Sequence, residues 1–517
     1  MSDVPFARQI TVCAVLLLSS IPPGAAGVLD TIGVTPMRNE DASLTGAGVP
    51  AAQPEAGDPT WEVNPATVAQ PVSLFTWISA DGSSTNYPNS LGQESGHAGS
   101  VGINFYGSDG GVAPSIASLD NYEAVYFVLT VVPGLMPIRA RVVNQSFIGG
   151  LDLPLGQSSE SHYDNYVATY NTLIASGAGN GGPPQPPSTA YNVISVAAFG
   201  GASSVGPTTN GGRAKPDITA PEAVTSYSTP LVAGVAALLF QSAARDDAGA
   251  GTAATATNVL TLKTLLLNGA VKPPNWTNGP TAPLDARHGA GVVNAYNSWR
   301  QLLGGRRPFI ESTSPGVGGN HFPTGNPNSV PVARGWDFNT VSTSPLNDGV
   351  NHYYFTLNAG QTARFSLTAT LVWNRHLSQS GINNLDLFLY DTANSNLVSS
   401  SRSSVDNVEH LFLPSLPAGR YDLQVLQHGG LGTVSPSETY ALAFDFEPIK
   451  LDIACAGTKV LVSWPVSAAG FNLQTTSGLS ATAGWSSVTV PPVQTNGQYV
   501  IQAGVTNGQQ FFRLKRP

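Results

Sequence analysis

The chain has 517 residues, of which only 11% are charged, and 32 acidic side chains outnumber 23 basic ones for a net charge of −9. That length provides for two to four domains with sizeable cores. The acidic balance excludes a nucleic-acid-binding face, and 55 Gly and 40 Pro fit a loop-rich, β-containing exported protein rather than a helical cytosolic one.

Residues 1–26 read as a secretory signal. Arg8 precedes an apolar stretch from Ile10 to Leu18, and Gly24, Ala25 and Ala26 supply small residues for cleavage. The stretch is too short to cross a bilayer and no later segment reaches 18 apolar residues, so no membrane span is expected. Removal of Cys13 with the signal leaves Cys455 alone in the mature chain, which precludes an intrachain disulfide. Cys455 is expected to be a small core residue.

Residues 27–305 alternate strand-like and helix-like patterns. Tyr122 to Val132, Arg141 to Phe147, Asn171 to Ala175 and Tyr191 to Ala198 predict strands; Pro230 to Ala244 and Asn258 to Asn268 predict helices. The alternation predicts an α/β domain with a mostly parallel sheet, whose working residues gather at the carboxyl ends of strands. Residues 306–350 are rich in Gly, Pro, Ser and Asn and read as a linker with one irregular strand. Short strands separated by turn residues follow over 306–448, as in an antiparallel sandwich of jelly-roll type, and over 449–517 in a smaller β-module.

One segment carries most of the chemistry. In Thr225 to Leu239, TSYSTPLVAGVAALL, a small-residue turn bearing Ser226 runs into Pro230 and a long apolar helix. A serine hydroxyl at a helix N-terminus sits where free N–H groups and the helix dipole favour a developing oxyanion. The same segment, read blandly, is a buried Ala/Gly-rich helix with a capping serine. His97, in ESGHAGSVG, is the candidate base, and Asn180, in SGAGNGG, the candidate side-chain donor to an oxyanion. Alone, His97 reads as a surface-loop histidine and Asn180 as an ordinary Asn-Gly turn.

Together these segments resemble the subtilisin-like serine peptidases, or subtilases. Thr225, Ser226, Pro230, Val232, Ala233 and Gly234 match the nucleophile motif, with Val224 in place of its first Gly and Ser228 in place of an Ala. His97 and Val101 fit the histidine motif, followed by the Gly111-Val112-Ala113-Pro114 turn. KPDITAP (Lys215 to Pro221) and HGAGVVNA (His288 to Ala295) resemble two further stretches of the family, which makes Asp217 structural. The resemblance covers residues 44–300. It implies a Ser226/His97/acid triad with Asn180 in the oxyanion hole, a protein or peptide substrate, and no cofactor for catalysis. It also implies that VVNQSF, through Asn144 and Ser146, pairs with extended substrate, while Ser176, Gly177 and Gly179 wall the first specificity pocket.

The chain departs from the family in three ways. Register places Glu55 where the family has its triad Asp, directly after Pro54, with Asp58 as competitor; Asp30 lies too near the signal and lacks a preceding strand. Only Glu222 to Thr225 separate KPDITAP from Ser226, where the family has a longer segment, so a more open cleft is expected. Fewer than 20 residues lie between Ala26 and the LTGAGV stretch, too few for a folding-assistant propeptide. The expected activity is a secreted serine endopeptidase; the alternative is a catalytically impaired subtilase-fold binding or structural protein. TLVWNR, NNLDLFLYD and DNVEHLFLPSLPAGRYDLQV resemble the C-terminal sandwich of certain bacterial subtilases, some of which bind calcium, and Asn383, Asn384 and Asp386 offer oxygen ligands.

Overall fold

A computed structural model describes residues 27–57, 60–88, 94–149, 157–358, 364–456, 459–468, 470–479, 484–495, 498–504 and 509–515. The signal segment and Asp58 lie outside the described residues.

Two short helices, α1 (Val28–Thr31) and α2 (Val34–Glu40), lead into an eight-stranded sheet. Its strands are β1 (Pro50–Glu55), β2 (Phe75–Ile78), β3 (Ser84–Thr85), β4 (Ser118–Glu123), β5 (Val142–Gln145), β6 (Leu173–Gly177), β7 (Ile194–Ala198) and β8 (Ile218–Ala220). Their order is β3-β2-β4-β1-β5-β6-β7-β8, all parallel except the β2–β3 pair. The chain fills one side of β1 before crossing to the other, so its direction reverses beside β1. A crevice opens at such a switch point, beyond the carboxyl ends of the strands.

Pro54 finds its place in this topology. β1 pairs with β4 along its whole length but with β5 only at Ala51 and Ala52. By Pro54 one side of the strand has no ladder, and the missing N–H is tolerated there.

The sheet is flanked by α3 (Gly96–Phe105), α5 (Gln157–Tyr170) and the long α6 (Thr225–Ala244), with α7 (Ala253–Ala256), α8 (Val259–Asn268) and α9 (Ala295–Leu303) completing the layer. α6 is long and apolar enough to cross a membrane, yet 83% of its most apolar window is buried inside the protein, so it is a core helix. Gly234 lets it touch the Gly111–Pro114 turn: a Cβ there would lie 2.4 Å from Val112 Cβ. Gly289, at φ +58, lets the HGAGVVNA turn close on KPDITAP, since a Cβ would fall 2.2 Å from the Asp217 carbonyl carbon.

The sequence-based elements need three corrections in this domain. The apolar run after Tyr122 is not strand: β4 stops at Glu123, whose carboxylate accepts the Tyr126 N–H at 2.9 Å and caps a helical turn, α4 (Ala124–Tyr126), that continues to Val131. Phe127, Val128 and Val131 bury one helical face. α6 begins at Thr225, five residues before Pro230, so Ser226 is inside the helix. α5, low in apolar periodicity, was not anticipated.

The second domain is a sandwich of antiparallel sheets. One has the order β10 (Arg334–Ser342), β17 (Ser437–Pro448), β12 (Arg364–Trp373), β15 (Val408–Pro417). The other runs β14 (Asn396–Ser401), β13 (Leu385–Asp391), β16 (Gly419–Gln427), β11 (Gly349–Leu357), β9 (Glu311–Thr313). β9 and β10 both fall within the stretch read as a linker with one irregular strand. The last module carries a four-stranded and a three-stranded antiparallel sheet on its own small core, which includes Val462, Trp464, Leu473 and Phe512. Cys455 is exposed, not core: it lies on that module's edge strand, opposite Val460.

The sandwich is docked on the α/β domain. α8 packs on β12 and β17, and Trp336, Val372, Val408, Ala441 and Ala443 belong to the same buried cluster as the sheet and α6. Polar contacts fix the seam. Asn192 and Arg375 exchange hydrogen bonds through side-chain amide and backbone at 2.8 and 3.0 Å. Arg375 Nη2 lies 2.9 Å from Asp164 Oδ2 with both groups buried, a pairing by charge and distance although its angle misses hydrogen-bond geometry. Asp406 Oδ1 accepts the Ala214 N–H at 2.7 Å, just before KPDITAP. Removing one partner of a buried ion pair strands the other charge. Arg375→Met is therefore expected to lower unfolding stability by about 3 kcal/mol, read from chemical denaturation; a change within experimental error would show that the seam carries no stability.

Candidate active site

Three of the residues singled out from sequence meet at the carboxyl end of the parallel sheet. Glu55 is the last residue of β1 and is 1% exposed. His97 is the second residue of α3, whose N-cap Ser95 accepts the Ala98 N–H at 3.1 Å. Glu55 Oε1 lies 2.8 Å from His97 Nδ1. With Nδ1 as donor, the ring's Nε2 is left as the acceptor, the tautomer a general base requires. The hydrogen bond to Glu55 raises the His97 pKa above 6.5; desolvation opposes this, and the carboxylate's charge adds to it. The longer glutamate thus reaches the imidazole from the strand position where a shorter aspartate was the pattern.

Ser226 is the second residue of α6, where a backbone N–H has no partner within the helix. Its hydroxyl donates to the Ser146 carbonyl at 3.2 Å, and among the described residues no hydrogen bond joins it to His97. The two are neighbours nonetheless: the His97 ring centroid lies 6.1 Å from that of Tyr227, the residue after Ser226. Both Ser226 and His97 are only half-buried.

The interior Pro230 explains the second bond at this turn. Proline has no N–H to offer the carbonyl four residues back, which is that of Ser226. The Ser146 hydroxyl takes the vacancy, donating to Ser226 O at 2.8 Å, and itself accepts from Asn144 Nδ2 at 3.0 Å. Asn144 and Ser146 are buried, so their side chains brace the helix start rather than reach into the cleft.

Asn180 follows β6, on an exposed loop. Its Oδ1 accepts both the Thr225 N–H and the Thr225 hydroxyl, each at 2.9 Å. α6 has no side-chain cap of its own at Val224, and Asn180 supplies one from across the sheet. With the carbonyl end so engaged, the Nδ2 donors are the other end of the amide. Ser176, Gly177 and Gly179 are buried along the end of β6, and a Cβ at Gly177 would lie 3.3 Å from Thr225 Oγ1.

The short link from KPDITAP to Ser226 is direct. β8 ends at Ala220, Val224 bridges Ala202, and α6 starts at once. Asp217 is structural: buried, it accepts the Ser195 N–H at 2.7 Å and pairs with Lys215 at 2.6 Å. The possible calcium ligands do not fit an ion. Asn383 spends its amide on Ser435 and Glu438, and Asp386 pairs with His428. Asn384 Oδ1 and Asp386 Oδ1 are the two oxygens left over, against the six to eight that calcium takes. Among the described residues no group of three or more His, Cys, Asp or Glu is placed to hold a metal.

Sequence reasoning overlooked two residues here. Gln53, fully buried two positions before Glu55, donates to Glu55 Oε2 at 3.4 Å; a polar residue sharing a strand face with an acid was the available signal. Tyr227 borders His97 within the nucleophile motif itself.

The mostly parallel sheet thus carries an acid–histidine pair at its switch point, with a serine close by in the first turn of a central helix. Residues 82–291 match the subtilase family, peptidase S8, and residues 349–427 match the bacterial pre-peptidase C-terminal domain. Residues 82–291 thus form a domain of the subtilase, serine-type peptidase class. The matched region begins after β1, so the placement of Glu55 rests on the strand and its contact alone.

Solved structures resemble it at low identity. The prenylagaramide maturation protease PagA is 18% identical, over 51% of this chain and 98% of its own, with a TM-score of 0.37. The patellamide maturation protease PatA is 19% identical, over 50% and 98%, with a TM-score of 0.35. A Pseudoalteromonas arctica protease is 17% identical, over 50% and 91%, with a TM-score of 0.35. No curated protein gave a significant match.

The geometry makes three predictions. A general base must be neutral, so kcat/KM falls as pH drops through the His97 pKa, with an acid limb above pH 6.5. Glu55→Gln removes the cause of the rise: the limb shifts to lower pH and the maximal rate falls by about four orders of magnitude, the scale of losing the orienting acid of a triad. An unshifted limb would refute the pairing. Ser146→Ala leaves the Ser226 carbonyl unpaired and is expected to cost about 1–3 kcal/mol of stability, measured by denaturant midpoint.

Proposed function

We propose that the chain is a secreted endopeptidase that hydrolyses peptide bonds through an acyl-enzyme on Ser226. The Ser226 Oγ attacks the scissile carbonyl while His97 Nε2 takes its proton and then gives it to the leaving amine. Water repeats the attack on the acyl-enzyme with His97 again as base, releasing the acid product and restoring the serine. Glu55 holds the imidazole in the Nδ1–H tautomer and stabilises its charged form. The Ser226 N–H and the Asn180 side-chain amide bind the oxyanion.

The observation that carries this reading is the 2.8 Å Glu55–His97 contact beside the first turn of α6. Ser226 Oγ needs a single side-chain rotation to leave the Ser146 carbonyl, and such bonds tighten in the substrate complex. Extended substrate pairs with the backbone after β5, opposite Ser176 to Gly179, which reads main chain rather than side chains. The apolar stretch ahead of the domain, and a C-terminal domain described as bacterial and pre-peptidase, support export.

The test is hydrolysis of an unfolded protein such as reduced casein by purified enzyme. Wild type is expected to cut it, Ser226→Ala to abolish cutting, and Asn180→Ala to lower kcat by roughly 10²–10³-fold with little change in KM. A folded wild type that leaves casein intact supports the impaired subtilase-fold binding protein instead.

A further inference from the structure

We infer that Gln53 is a positioning residue for the relay, fixing the carboxylate of Glu55 and the start of the histidine helix with one amide group. The inference rests on the proposed roles of Glu55 and His97 and adds what makes a glutamate workable there.

A glutamate in place of an aspartate brings an extra methylene and an extra torsion. An unrestrained carboxylate turns about its terminal bond, and holding it in one orientation costs side-chain entropy. Residues 53 and 55 of β1 point to the same side of the sheet, and both are buried. Gln53 Nε2 donates to Glu55 Oε2 at 3.4 Å and to the Ala98 carbonyl at 3.0 Å. Ala98 directly follows His97, so the amide ties the acid's outer oxygen to the backbone of the helix that presents the base. Glu55 Oε1 is thereby left facing His97 Nδ1 at 2.8 Å.

The amide is itself fixed. The Ala98 carbonyl and the Glu55 carboxylate can only accept, so Nε2 faces them, and Tyr106, at the far end of α3, donates its hydroxyl to Gln53 Oε1 at 2.8 Å. Burial, and next the charge of Glu55, hold the Tyr106 phenol well above its usual range, so it stays a donor at any working pH. Asn121 donates from Nδ2 to the Gln53 carbonyl at 2.9 Å and accepts the Val63 N–H on Oδ1 at 3.0 Å, which pins the strand. The result is one hydrogen-bonded chain, Tyr106 to Gln53 to Glu55 to His97, closed at Ala98. A glutamine that merely filled the core would need no carboxylate partner, and Met or Leu would serve without a polar group to satisfy.

Gln53→Met keeps the shape and removes both donors. Two readouts separate positioning from packing: kcat and KM on a peptide substrate, and the titration of His97 in the full chain by NMR. The expected result is a kcat lowered about 10-fold or more with KM within twofold, the size of one lost orienting hydrogen bond. The His97 midpoint should fall toward 6.5 as its bond to Glu55 loosens. In a Glu55→Gln background Gln53→Met should cost nothing further, because the two act as a unit. Tyr106→Phe, a milder change, should move both readouts the same way and carries the test if Gln53→Met does not fold. An unmoved His97 midpoint, or an equal loss of kcat with and without Glu55, overturns the inference. If wild type lacks activity, the catalytic reading has failed, and the His97 midpoint still decides whether Gln53 positions the pair.

Discussion

The half-buried N-terminal turn of α6 is the constraint on which the rest of the site depends. A helix driven through a domain core cannot leave its first N–H groups and a proline-orphaned carbonyl without partners. Two of these are met from different directions: Asn180 Oδ1 takes the Thr225 N–H and the Ser146 hydroxyl takes the Ser226 carbonyl, while the Ser228 hydroxyl ties the turn back to the Ala220 carbonyl at 2.9 Å. What those partners leave over is the chemistry: the Ser226 N–H and the amino end of Asn180. In the proposed mechanism the groups that stabilise the helix start are also the ones that orient the oxyanion site.

The second constraint is the acid. A strand that ends in a glutamate rather than an aspartate shifts the burden of alignment from side-chain length to supporting hydrogen bonds, and β1 carries that support two residues upstream in Gln53. The placement of Pro54 between them is compatible with this, because one edge of β1 is already unpaired there. The sandwich domain bears on the same framework from behind. Its contacts at Asn192 and Ala214 reach the strands and the KPDITAP turn that lead to α6, so the peptidase sheet and the sandwich share one buried core.

Much of this was legible in the sequence, and the reasons differ by element. Buried parallel strands such as β7 (Ile194–Ala198) and the long apolar α6 stand out because their burial leaves little room for polar residues. Ser226, His97 and Asn180 could be found because small residues must flank each at the points of close approach. Glu55 was reached by register alone, and its contact with His97 depends on a fold that brings β1 beside α3. The helical run after Glu123 was misread because its valines and aromatics suit either state, and a capping carboxylate decided between them. β10 was hidden among Gly, Pro and Asn, and α5 by its weak amphipathicity. The exposed Cys455 shows the limit of residue-type averages on an edge strand. The bracing role of Ser146 follows from Pro230, but only once both are known to lie at one turn.

The most direct measurement of the central claim is covalent labelling of the intact chain by a fluorophosphonate, located by mass spectrometry of peptides. The account predicts a single adduct on Ser226, formed rapidly in wild type and lost in His97→Ala while the fold is retained. A folded wild type that stays unlabelled, or an adduct that forms equally well without His97, would contradict it.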